Sequence, residues 1–93
     1  MFKRIESGIA GKGFGFDYIS SVRDMVVRYD LVGIVFEKKD GSIKLIAEGE
    51  EENLIKLTEK LEDGSLIHSV ENFYVKWDEP KGEFKDFSIG DKE

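Results

Sequence analysis

Cysteine is absent from the 93 residues, which removes disulfides, thiolate metal sites and thiol nucleophiles together and fits a reducing compartment, so a cytoplasmic location is expected. His68 is the only histidine, so there is no pair for zinc and no histidine-thiol dyad. No apolar stretch approaches the roughly 18 residues of a membrane span, and no apolar region follows the charged start Met1-Phe2-Lys3-Arg4, so neither export nor insertion is expected. Positive charge is the minority, fourteen Lys and Arg against twenty Asp and Glu for a net −6, with no basic cluster beyond pairs such as Lys38-Lys39. Attraction to a phosphate backbone is therefore unfavourable, and nucleic acid is excluded as a partner. Glutamine is missing and asparagine occurs only at Asn53 and Asn72, while 37% of the residues are charged, a balance expected of a thermophilic source.

What is present suffices for one core. A chain of this length buries only about 60–65% of the surface its unfolded form exposes, so residues 1–93 form a single domain. The hydrophobic 40%, with seven Phe, three Tyr and one Trp, supplies its interior.

The apolar pattern changes period along the chain. Phe2 to Ile9 reads as a strand running into a loop with Gly8, Gly11, Gly13 and Gly15. Ile19, Val22, Val26 and Tyr29 then step by three and four, with Tyr18 and Met25 on the flank, which predicts an amphipathic helix ending near Asp30. Leu31 to Phe36 and the alternating Ile43, Leu45, Ala47 flank Asp40-Gly41, a β-hairpin signal. Glu50, Glu51 and Glu52 precede Leu54, Leu57 and Leu61, which predicts a second helix with acids at its positive end, stopping at Asp63-Gly64. Val70, Phe73, Val75 and Trp77 form an extended stretch closing at Pro80, and Phe84, Phe87 and Ile89 suggest a short last strand. The order β-α-β-β-α-β with an extra edge strand predicts an α+β, ferredoxin-like sandwich: an antiparallel sheet with both helices on one face.

Several short motifs recur in an order that resembles acylphosphatase: Asp40-Gly41-Ser42, Ala47-Glu48-Gly49, Val75 to Pro80, and Gly82-Glu83-Phe84 with Phe87 and Ile89. The resemblance runs along essentially the whole chain. It implies a first loop of the form Gly-x-Val-Gln-Gly-Val-Gly-Phe-Arg, whose N–H groups cradle a phosphate that the arginine neutralises. Here that loop reads Gly8 to Tyr18, and either Asp17 or Gly15 falls in the arginine position, according to register. The family's second motif, Gly-Trp-Val-x-Asn, corresponds to Gly33 to Glu37, so Glu37 stands where asparagine holds the water.

Acyl phosphate hydrolysis depends on neutralising charge on the transferring group. A carboxylate in place of the guanidinium reverses the sign of an interaction worth roughly 4 kcal/mol at about 4 Å and an effective dielectric of 20. The expectation is therefore a catalytically silent domain with no catalytic residue and no cofactor. It would act as a monomeric module that binds a protein or a small anionic ligand. The alternative is an active acylphosphatase that uses a relocated cation, Lys12, Arg4 or Arg23.

Other readings of the same residues stay open. Gly11, Lys12, Gly13, Phe14, Gly15 and Phe16 are candidates for an anion-binding loop, because successive N–H groups before a helix attract negative charge. Alternatively the glycines only turn the chain, and Asp17 caps the helix. Asp17 and Glu37 are too few oxygen ligands for a dedicated divalent cation site. Lys12-Gly13-Phe14-Gly15-Phe16 mimics an RNA-recognition signature, but only eleven residues precede it, so the upstream strand and helix of that fold have no room. His68 reads as a loop or strand residue, Trp77 and the phenylalanines as core or edge packing, and Arg4, Arg23 and Arg28 as surface ion-pair partners, although Arg4 is also placed to reach the loop.

Overall fold

The computed structural model describes residues 1–11, 15–62 and 70–91. Its elements are β1 (Phe2–Gly11), α1 (Phe16–Arg28), β2 (Val32–Glu37), β3 (Ile43–Glu50), α2 (Glu51–Glu62), β4 (Val70–Asp78) and β5 (Phe87–Ile89). The strands form one sheet in the order β4-β1-β3-β2-β5. The four longer strands pair antiparallel, as expected of the ferredoxin-like order. The extra edge strand departs from an all-antiparallel sheet, because β5 runs parallel to β2 and makes the sheet mixed. Its direction follows from its route: residues 79–86 leave β4 at one edge and arrive beside β2 at the other.

Alternation along the strands sorts the two faces. Ile5, Ser7 and Ile9 of β1 and Ile43, Leu45 and Ala47 of β3 are buried against both helices. α1 adds Tyr18, Ile19, Val22, Met25 and Val26, and α2 adds Leu54, Leu57 and Leu61, the positions at three- and four-residue steps. The opposite face carries Arg4, Glu6 and Gly8 of β1, paired with Glu48, Ile46 and Lys44 of β3.

Helix α1 ends by a defined device. The Asp30 N–H donates to the Val27 carbonyl at 3.0 Å and the Leu31 N–H to the Val26 carbonyl at 3.2 Å, which is the pattern of a Schellman motif. Asp30 sits at φ 57, where glycine is usual, and Leu31 turns into the core. The helix thus closes at Arg28, two residues before the expected end. The hairpin between β2 and β3 is where Asp40-Gly41 placed it. The Gly41 N–H reaches the Lys38 carbonyl at 2.9 Å, and Asp40 Oδ1 accepts from the Ser42 N–H at 2.9 Å and its hydroxyl at 2.6 Å. The expected stop of the second helix at Asp63-Gly64 lies outside the described residues, as does His68.

Candidate active site

Three elements converge at one end of the sheet. β1 and β2 both pair antiparallel with β3, so they run in the same direction and finish together. Ile43 marks the level, being the cross-strand partner of Ile9 on one side and of Glu37 on the other. At two strand spacings Glu37 therefore stands about 10 Å from β1. Like Val35 two residues earlier, it belongs to the helix-facing row of β2. β1 carries on to Gly11, with a register irregularity against β4 between Ala10 and Gly11, and the chain re-enters the described structure at Gly15, directly before α1. The N-terminal end of α1 is thus placed at the same end of the sheet as Glu37.

The start of α1 corrects one expectation. Gly15, not Asp17, is the N-cap residue, and its carbonyl accepts the Tyr18 N–H at 3.1 Å and the Ile19 N–H at 3.2 Å. Gly15 has no side chain to satisfy the first helical N–H groups. Asp17 is the second residue of the helix and is exposed, as is Phe16 before it. Of the loop candidates, Gly11, Gly15 and Phe16 are placed as described, whereas Lys12, Gly13 and Phe14 lie outside the described residues. Among the described residues no group of three or more His, Cys, Asp or Glu could hold a metal ion, and no helix is long and apolar enough to cross a membrane.

Two of the three candidates for a relocated cation, Arg4 and Arg23, make contacts elsewhere. Arg4 lies at the beginning of β1, far from the loop, and faces away from the helices. It is not a surface residue, for it is only 5% exposed. Its Nη1 donates to Glu48 at 2.7 Å and to Glu83 at 3.1 Å, its Nε lies 3.6 Å from Glu6, and the Phe84 ring stands over the guanidinium at 5.9 Å. Arg23 sits seven residues into α1, about 10 Å along the axis from Phe16, and contacts Ser20 at 3.4 Å and Asp24 at 3.3 Å.

Arg4, expected at the surface, belongs instead to a buried cluster with Glu48 that has a definite task. Glu48 accepts the backbone N–H of Lys81 at 2.9 Å and of Gly82 at 3.1 Å besides Arg4, so one buried carboxylate fastens residues 79–86 across the sheet face opposite the helices. Burial alone would raise the Glu48 pKa, but the two N–H donors and the Arg4 guanidinium outweigh it and hold the carboxyl below its ordinary value. Burial likewise opposes the Arg4 charge, and Glu48, Glu6 and Glu83 reverse it and hold its pKa above the usual one. Glu48 lies inside the Ala47-Glu48-Gly49 motif, which was the available signal.

The acylphosphatase family model matches residues 9–89. The acylphosphatase of Pyrobaculum calidifontis is 35% identical over 82 residues, 87% of this chain and 74% of that protein. The acylphosphatase of Caldanaerobacter subterraneus subsp. tengcongensis is 33% identical over 91 residues, 96% of this chain and 99% of that one. The crystal structure of acylphosphatase from Bacillus subtilis shares the fold at a TM-score of 0.86, over 95% of this chain and 98% of its own, with 24% identity. The chain belongs to the acylphosphatase family.

This membership corrects the expectation of a silent binding module. Relatives of 33–35% identity over most of the chain carry the enzyme's name and favour the active alternative. Asp17 is exposed, where water reduces repulsion between a carboxylate and a phosphate from roughly 4 to about 1 kcal/mol at about 4 Å.

Proposed function

We propose that this chain is an acylphosphatase: water attacks phosphorus, the bond between phosphorus and the acyl oxygen breaks, and a carboxylate and inorganic phosphate leave. The reading is supported above all by the family match over residues 9–89, which spans the end of β1, the start of α1 and β2 with Glu37. The convergence of the end of β1, the start of α1 after Gly15 and Glu37 supplies the geometry. The N-terminal dipole of α1 favours a bound phosphate, and the N–H groups of the first turn have no capping side chain from Gly15.

The cation in this proposal is Lys12. Arg4 is committed to three carboxylates, and Arg23 stands too far along α1, whereas Lys12 lies in sequence between the end of β1 and the start of α1. An ammonium neutralises phosphate as a point charge rather than as a bidentate fork. Glu37 then takes the water. A carboxylate accepts a proton from water as well as orienting it, so Glu37 acts as general base where the family pattern has an amide. Steady-state hydrolysis of benzoyl phosphate tests the reading. Turnover above the spontaneous rate, abolished by Glu37→Ala and reduced by Glu37→Gln, is expected; a rate equal to the buffer blank overturns it.

A further inference from the structure

The sheet face opposite the helices holds a second constellation. Gly8 of β1 is the cross-strand partner of Lys44 on β3 and of Tyr74 on β4, so the three stand side by side. The Tyr74 ring lies over Gly8: a Cβ at that position would overlap ring atom Cε1 and come within 2.7 Å of Cζ. The absent side chain is what lets the ring cover the strand, and Tyr74 nevertheless remains 53% exposed. The Lys44 ammonium lies 3.3 Å from the phenol oxygen and 5.8 Å from the ring centroid.

The ring lines a cavity of about 250 Å³ that also meets Lys38 and Asn72. One carboxylate, Asp40, belongs to the same wall, but its Oδ1 is already occupied by the Ser42 N–H and hydroxyl. Glu6, 3.6 Å from Lys44, is shared with Arg4. The wall itself therefore carries two ammonium groups against one engaged carboxylate, in a chain whose net charge is −6. A ring backed by the sheet and open on its other side is a stacking surface, and ammonium groups at its margin attract a negative substituent. The volume lies just below the roughly 300–1,000 Å³ of sites for larger molecules, which limits the guest to one ring.

We infer that this cavity is a binding site for a small single-ring aromatic anion, stacked on Tyr74 with its charge between Lys38 and Lys44. The inference does not depend on acyl phosphate hydrolysis, and its test reads binding alone. Titration of the 15N-labelled protein with benzoate, in saturating inorganic phosphate so that any phosphate site is filled, should shift the amides of Gly8, Lys44, Asn72 and Tyr74 saturably. Cyclohexanecarboxylate, an anion of similar size without a flat ring, and benzyl alcohol, a ring without charge, should each bind at least about fivefold more weakly. Tyr74→Leu removes the platform and Lys44→Gln removes a charge, and each should weaken benzoate by about fivefold or more. Gly8→Ala keeps every ligand-facing group yet pushes the ring from its seat, and the same loss is expected there, with amide dispersion showing that the variant is folded. Equal affinity for benzoate and cyclohexanecarboxylate, undiminished binding in Tyr74→Leu, or shifts confined to Gly11 and Gly15–Tyr18 would overturn the inference.

Discussion

The Arg4 guanidinium donates to the Glu48 carboxylate at 2.7 Å, with the two side chains only 6% and 3% exposed. The pair sits beneath residues 81–84: Lys81 and Gly82 donate to Glu48, and Phe84 covers Arg4. It therefore couples the first strand to the segment that carries the chain from one edge of the sheet to the other.

Removing one partner should cost more than removing both. Arg4→Met leaves a buried carboxylate whose charge is uncompensated, and a loss of roughly 3 kcal/mol in unfolding free energy is expected. Arg4→Met combined with Glu48→Leu should recover part of that loss. It will not recover all of it, since the Lys81 and Gly82 N–H groups then lose their acceptor. Urea unfolding of the two single variants and the double variant measures the coupling.

Acid should act through the same carboxylate. Its pKa is lower in the folded chain than in the unfolded one, so between the two values the unfolded state binds more protons and stability rises with pH. The Glu48 contribution is complete above the ordinary glutamate value of about 4.3 and disappears as pH falls through the lower folded value. Chemical denaturation at stepped pH should show this acid-side slope in the parent chain and a shallower one in Glu48→Gln.

The residue at the end of α1 offers the opposite sign. Asp30 holds φ 57 in a Schellman motif whose usual occupant there is glycine. Asp30→Gly should stabilise by up to about 1 kcal/mol, because relief of the left-handed strain exceeds the added freedom of the unfolded chain. A rise in thermal midpoint tests it, and Asp30→Val should lower that midpoint.

At Gly33 only glycine fits. Its φ is +149, and a Cβ there would overlap the Ile46 carbonyl oxygen and lie 2.9 Å from Ala47 Cα, both backbone atoms of the partner strand. Gly33→Ala should therefore cost about 3 kcal/mol or more, since neither strand can move without breaking its ladder. Glu37 lies four residues along the same strand, so benzoyl phosphate turnover should fall together with stability.

The fold was legible where local chemistry is strong. The helical periods of Ile19 to Val26 and Leu54 to Leu61, the Asp40-Gly41 turn and the alternation of Ile43 to Ala47 each fix an element by themselves. The direction of β5 was not legible, because three residues carry no sign of their partner and a crossover over a sheet face is a tertiary event. The candidate site was legible as a resemblance between motifs but not as an energy. Whether a carboxylate at position 17 opposes phosphate depends on its exposure, which composition and spacing do not specify. Arg4 shows the converse: a charged residue near the N-terminus looks like surface, and only cross-strand pairing with Glu48 makes it interior. Gly8 and Tyr74 are 66 positions apart and become neighbours only through the pairing of β1 with β4.

The kinetics of benzoyl phosphate hydrolysis by Lys12→Ala, beside Lys12→Arg and Arg23→Ala, test most directly the proposal that a relocated ammonium supports hydrolysis by this chain. A fall in kcat/KM of about a hundredfold or more in Lys12→Ala, substantial rescue by Lys12→Arg and near-parental rates in Arg23→Ala are the predicted results. Parental activity in Lys12→Ala would contradict the account.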